Sequence, residues 1–315
     1  MNDTFPGSLR SCPPVPEHVT IREVCLRDGL QIEAPIPLSA KIELLEAVVA
    51  TGVREIEATA FVSPSKVPAL ADAAALAAEL PRLRQSHGVE FSALVAGPGG
   101  AGRAIAAGMD SIEYVVSAAD AHSHANVGRS SAESTALIAD IARIAHENDA
   151  TIEVIIATAW DCPFDGPTDP RRVLDIATAA VEVGADRVAI ADTIGTTTPR
   201  RVTALIELLA PIIGDLPLGA HFHNTRGAGL ASAYAAVAAG IRRLDSSAGG
   251  LGGCPFAPGA SGNIATEDLV YLLRDSDIAV DVNLQAAIHA ADVARKAVGH
   301  DLPSALLRAG DRILG

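Results

Sequence analysis

Two histidines one residue apart, His221 and His223, close the apolar run from Leu216 to Ala220 in a chain of 315 residues. Such a run reads as a β-strand, where alternate side chains share a face, so both imidazoles can reach one metal ion. A second polar cluster, Arg27-Asp28-Gly29-Leu30-Gln31, ends another apolar segment. The stretch from Gly249 to Asn263, which contains Gly252-Gly253-Cys254-Pro255, holds too many glycines and prolines for a helix or a strand. Loops of that make-up beside a catalytic centre carry reactive groups or close over substrate. Asp28 adds a carboxylate and Asn263 an amide oxygen to the two imidazoles. This mixed N/O set, without a thiolate, suits a divalent cation such as Mg²⁺, Mn²⁺ or Zn²⁺ and leaves positions open for substrate. Arg27 next to Asp28 puts a permanent cation at the metal's edge, suited to an oxyanion such as an enolate. Cys254 is either an acid/base group or a packing residue, because its reactivity depends on neighbours that a sequence does not display.

These groups need a frame that brings strand ends together. A pattern recurs in which a helix-like run ends at glycine and a short apolar strand follows: Gly52-Val53-Arg54-Glu55-Ile56, Gly108-Met109-Asp110-Ser111-Ile112, Gly184-Ala185-Asp186-Arg187-Val188 and Gly240-Ile241-Arg242-Arg243-Leu244. Glycine there can take the left-handed conformation that ends a helix. Strands are predicted near residues 20–26, 54–58, 90–95, 111–116, 152–158, 187–191, 218–222 and 242–246, with amphipathic helices between them. Asp169-Pro170 and Thr198-Pro199 place a capping residue before a proline at the first helical position. Eight such units predict a (β/α)8 TIM barrel, with the doubly wound open sheet as the other arrangement open to the pattern. In a barrel the catalytic groups gather at the C-terminal ends of strands. Arg27 and Asp28 after strand one, Glu57 at the expected end of strand two, Asp192 at the end of strand six and His221 and His223 at strand seven all obey this rule.

Composition narrows the function. Hydrophobic residues make up 49% of the chain and charged ones 20%, enough for one large core, and no biased linker divides it. Residues 1–17 are expected to be a disordered lead-in and residues 18–315 a single barrel domain with C-terminal helices. A formal charge of −14 argues against nucleic acid or an anionic membrane as partner. Uncharged stretches around 227–241 and 246–266 are Ala/Gly-rich or belong to the glycine loop, so neither reads as membrane-spanning. Cys12, Cys25, Cys162 and Cys254 are scattered, which predicts a reducing cytoplasm.

Arg27-Asp28-Gly29-Leu30-Gln31, Phe61-Val62-Ser63-Pro64, Asp192-Thr193-Ile194-Gly195, His221-x-His223 and the loop from Gly249 to Asn263 resemble hydroxymethylglutaryl-CoA lyase, within the TIM-barrel metallolyases. The match runs from about residue 18 to about residue 300, and the Gly-Gly-Cys-Pro loop is specific to the lyase branch. The resemblance implies cleavage of a 3-hydroxy-3-methylglutaryl-CoA-like thioester to acetyl-CoA and a keto acid, a step of leucine degradation. It implies Asp28, His221, His223 and Asn263 as ligands of Mg²⁺ or Mn²⁺, Arg27 as enolate stabiliser, Cys254 as the loop cysteine, and Glu57 and Asp192 as supporting or acid/base groups. An acyl-CoA thioester substrate and a homo-oligomeric assembly are expected with it.

Ile32, Ala34, His124 and Arg226 stand where the family commonly has other residues, and an acyl group bulkier or less polar than hydroxymethylglutaryl is expected from the change. His122-Ser123-His124 is expected to lie in a loop near the substrate entrance. Two other functions fit the same barrel: a Claisen-type synthase, which usually carries a further C-terminal regulatory region, and a CoA-binding regulatory barrel without turnover. Metal-dependent thioester cleavage separates them.

Overall fold

A computed structural model describes residues 15–253 and 262–312. Eight parallel strands form a closed barrel. They are β1 (Thr20–Glu23), β2 (Glu55–Phe61), β3 (Glu90–Val95), β4 (Ser111–Ser117), β5 (Thr151–Ala157), β6 (Arg187–Asp192), β7 (Leu218–Phe222) and β8 (Arg243–Ser246). Closure is by β1 pairing with both β2 and β8. The open-sheet alternative is thereby excluded. Gly52, Gly108, Gly184 and Gly240, which were expected to end helices, all take positive φ, between 79° and 103°. The main core lies between the strands and the surrounding helices and contains Ile56, Phe91, Ile112, Ile152, Val188 and Leu244.

Three local features depart from expectation. β1 stops at Glu23, and Cys25–Gly29 form a single π-helical turn in which Gly29 N–H donates to Val24 C=O (3.1 Å) and Leu30 N–H to Cys25 C=O (3.0 Å). Arg27 and Asp28 therefore follow strand one, as expected, but on a wide turn that begins earlier than residue 27; such turns concentrate at functional sites. β2 runs on to Phe61, with a register shift between Glu57 and Thr59 against β3. Glu57 is thus the third residue of the strand and not its end, placed deep in the barrel beside a bulge that re-aims the chain. A two-stranded ribbon pairs Asp161–Cys162 with Gly166–Pro167, and the sequence pattern did not announce it.

Of the two expected capped helix starts, Asp169 caps Pro170–Glu182 by accepting the Arg171 N–H at 3.0 Å. Thr198 precedes Pro199–Ile213 but makes no side-chain cap; its carbonyl accepts from Val202 N–H at 3.0 Å. No helix among the described residues is long and apolar enough to cross a membrane.

Candidate active site

The π-turn after β1, the end of β7 and the segment after the glycine loop converge. Asp28, His221 and His223 are all buried, with ligand atoms within 4.8 Å of one another. His223 Nε2 lies 3.5 Å and His221 Nε2 3.9 Å from Asp28 Oδ2. Asn263 joins them by donating Nδ2–H to Asp28 Oδ2 (2.8 Å) and to the Leu251 carbonyl (3.0 Å). Its close approach depends on two glycines. A Cβ on Gly252, where φ is +127°, would stand 2.6 Å from Asn263 Nδ2, and one on Gly262 would stand 2.3 Å from the Gly252 carbonyl oxygen.

The donor set fits a divalent cation. Both ring nitrogens of His223 and the Oδ1 of Asn263 are buried without a hydrogen-bond partner. Buried polar atoms of this kind are costly unless something fills their place. His221 Nδ1 lies 3.1 Å from Asp245 Oδ2, which leaves Nε2 directed to the shared centre. Burial alone would raise the Asp28 pKa, but the Arg27 guanidinium and the two imidazoles hold its carboxyl well below the usual range. It stays ionised, as a metal ligand must.

Arg27 is almost fully buried. It donates to Asp28 Oδ1 and forms an ion pair with Glu57, Nε to Oε2 2.6 Å. Burial pushes Glu57 well above the usual carboxylate range against the pull of Arg27, and Glu113 adds to the rise. Asp192 accepts the Thr196 and Thr197 N–H groups at 3.0 and 2.9 Å, so it ties down the loop after β6. Burial raises its pKa, and the two amides partly offset the rise. Cys254 lies outside the described residues.

Beneath the site, Arg22 forks onto Asp245, Nε to Oδ1 2.8 Å and Nη2 to Oδ2 2.6 Å, and also pairs with Glu113 and Glu153. Sequence reasoning missed this layer. The signal was present: Ile56-Glu57, Ile112-Glu113 and Ile152-Glu153 each set a charge inside an apolar strand, and such a charge needs a buried partner.

The four positions that depart from the family pattern lie at the surface or between loops. Ile32 is 44% exposed, and Ala34 and His124 are exposed. Arg226 donates to the Ile194 carbonyl at 2.8 Å, so it links the loops after β6 and β7. His122 and His124 lie on a helix, Asp120–Val127, and not in a loop. His122 is buried with Nδ1 3.0 Å from Ser117 Oγ, and burial lowers its pKa to about 4. One histidine in the interior and one in solvent do not make a metal pair.

A parallel barrel with two imidazoles, a carboxylate and an arginine on its C-terminal rim has the layout of a TIM-barrel enzyme with a candidate metal site. Residues 18–294 match the HMGL-like family model. The chain is 39% identical to (R)-citramalyl-CoA lyase of Chloroflexus aurantiacus, over 93% of this chain and 95% of the relative. It is 37% identical to hydroxymethylglutaryl-CoA lyase of Bacillus subtilis, over 92% of this chain and 97% of the relative. The solved structure of an HMG-CoA lyase from Acinetobacter baumannii, in complex with coenzyme A and 3-methylmalate, superposes with a TM-score of 0.88 at 35% identity, covering 95% of this chain and 98% of that one. The chain belongs to the HMGL-like family and is a lyase.

Proposed function

We propose that this chain is a divalent-cation-dependent lyase that cleaves 3-hydroxy-3-methylglutaryl-CoA to acetyl-CoA and acetoacetate. The observation that carries the reading is the Asp28, His221 and His223 cluster with Arg27 against it. Asp28, His221, His223 and Asn263 would hold Mg²⁺ or Mn²⁺, and the bound cation would lower the pKa of the substrate's carbinol hydroxyl.

A base takes the carbinol proton. The bond from the carbinol carbon to the thioester α-carbon then breaks, the carbinol becomes a ketone, and the electron pair passes to the thioester enolate. Arg27 receives the enolate oxygen, with Glu57 holding the guanidinium in place from below. Asp192, raised by burial on the same rim, supports proton transfer, and Cys254 supplies the proton that converts the enolate to acetyl-CoA. The same reading gives the protein a cytoplasmic location, which the scattered cysteines support, a homo-oligomeric assembly and a step in leucine degradation.

The C. aurantiacus relative favours a second substrate, (R)-citramalyl-CoA, which differs from the first by one methylene between carbinol and carboxylate. Purified protein with Mg²⁺ or Mn²⁺ should release acetyl-CoA from hydroxymethylglutaryl-CoA and none after chelation. Release from citramalyl-CoA alone, with pyruvate as the second product, would replace the proposed substrate; release from neither would end the proposal.

A further inference from the structure

Inside the barrel, polar groups occupy only part of the wall. Register partners in a parallel ladder project to the same face. Arg22 reaches Glu113 and Glu153, which pair across β4 and β5 and so point inward. Two residues further along these strands Val115 pairs with Ile155, Ile155 pairs with Ala189, and Ala191 pairs with the metal-site residue His221. Leu94 of β3 pairs with Glu113. Leu94, Val115, Ile155, Ala189 and Ala191 therefore all face the interior.

Ile155, Ala189, Ala191 and Val115 form a hydrophobic cluster separate from the main core. Leu94 and Val115 are only partly buried. Water reaches an inward side chain of a closed barrel only through a mouth, and below these residues the interior is filled by Arg22 and its carboxylates. An apolar surface thus opens to the C-terminal mouth at Leu94 and Val115 and continues through the buried Ile155, Ala189 and Ala191 to His221, the register partner of Ala191.

We infer that this surface is the subsite for the alkyl branch on the carbinol carbon of the substrate, with Val115 and Ala191 setting its size. The inference rests on the lyase reading and adds to it the residues that set the length of the branch. The metal-site residues and Arg27 account for the carbinol oxygen, the carboxylate and the enolate oxygen. The branch has no polar atom and needs a wall without one; the five side chains supply it. Alanine at 189 and 191 keeps the space beside His221 clear of bulk. The expected tolerance for a longer acyl branch is thereby moved from Ile32, Ala34, His124 and Arg226 to the barrel interior.

The test uses the Mg²⁺-loaded full chain and three thioesters bearing hydrogen, methyl or ethyl on the carbinol carbon of the 3-hydroxyglutaryl group. Ala191→Val should lower kcat/KM for methyl and ethyl relative to hydrogen by about tenfold, and Val115→Ala should raise the ethyl-to-methyl ratio by about the same factor. Both variants should bind Mg²⁺ as the parent does. Ratios unmoved in a variant with unchanged metal affinity would overturn the inference alone. Should Ala191→Val fail to fold, Val115→Ala, a truncation, carries the test. Cleavage of none of the three by the parent protein would overturn the lyase reading and the inference with it.

Discussion

Replacing Asp245 with Asn should weaken metal binding without removing any metal ligand. Asp245 Oδ2 takes both the His221 Nδ1 contact at 3.1 Å and Arg22 Nη2 at 2.6 Å, while Oδ1 takes Arg22 Nε at 2.8 Å. Against the cost of burial, Arg22 and His221 hold its carboxyl well below the usual range, so it is ionised and sets the Nδ1–H tautomer that frees Nε2. An Asn must turn its NH₂ toward Arg22 or toward His221, and in either place a donor meets a donor. With the oxygen kept at the Oδ2 position, the imidazole retains a neutral hydrogen bond in place of a charge-assisted one. Loss of such an outer partner typically lowers metal affinity by about 10- to 100-fold, or about 1.4–2.7 kcal/mol. Calorimetric titration of the metal-free protein with Mn²⁺ reads this directly, and a thermal melt of the metal-free form shows whether the fold survived. An unchanged Kd in a folded Asp245→Asn variant would show that Asp245 does not position His221.

His223→Ala should abolish binding of Mg²⁺ or Mn²⁺, since both ring nitrogens are buried without a hydrogen-bond partner beside the Asp28 carboxylate; full occupancy by metal analysis would remove His223 from the ligand set. Arg27→Lys keeps a charge but loses the planar fork, so it should bind substrate nearly as the parent does and lose about 10²- to 10³-fold in kcat; a near-normal kcat would make the arginine a structural partner of Asp28 and Glu57 and no more. Glu267, fully buried and accepting the Gly249 N–H at 3.1 Å, is lifted by burial from 4.5 to about 7. The folded chain keeps a proton that the unfolded chain releases in that window, so this group's contribution is greatest below it and falls by about 3 kcal/mol as pH rises through it. Glu267→Gln should accordingly show a smaller drop in Tm between about pH 5 and about pH 8 than the parent; an equal drop would show that other groups set the slope.

Four of the strands, β2, β4, β6 and β8, were legible because each carries a short apolar run after a glycine, and the His-x-His spacing at β7 translates into side-chain direction without help from distant residues. Asp28 and Asn263 were legible as ligand types, but their meeting depends on Gly252 and Gly262, whose missing side chains leave room for the carboxamide. Arg27 and Asp28 were assigned to a strand end because a π-turn has no periodic signature. Glu57 was placed too near the rim because a bulge adds a residue without changing the apolar pattern. Arg22 and Asp245 stayed hidden because they act through partners 24 to 223 residues away. Chain periodicity reports on neighbours three or four residues apart and is silent about such pairs.

The buried charges have a consequence for how the barrel assembles. Arg22 on β1 joins β4, β5 and β8; Arg243 on β8 joins β2 and β5; Arg187 on β6 joins β2 and β3. Through Asp245 and His221 the remaining strand, β7, is attached as well. A half-barrel of β1–β4 would keep Arg22 without Glu153 and Asp245, and one of β5–β8 would keep Arg187 without Glu55 and Glu90; an uncompensated buried charge costs several kcal/mol. A register slip by one residue would turn these same charges outward into the apolar layer under the helices. Partial and misregistered barrels are both penalised, so closure should be cooperative and late, waiting on pairs separated by 90 to 223 residues.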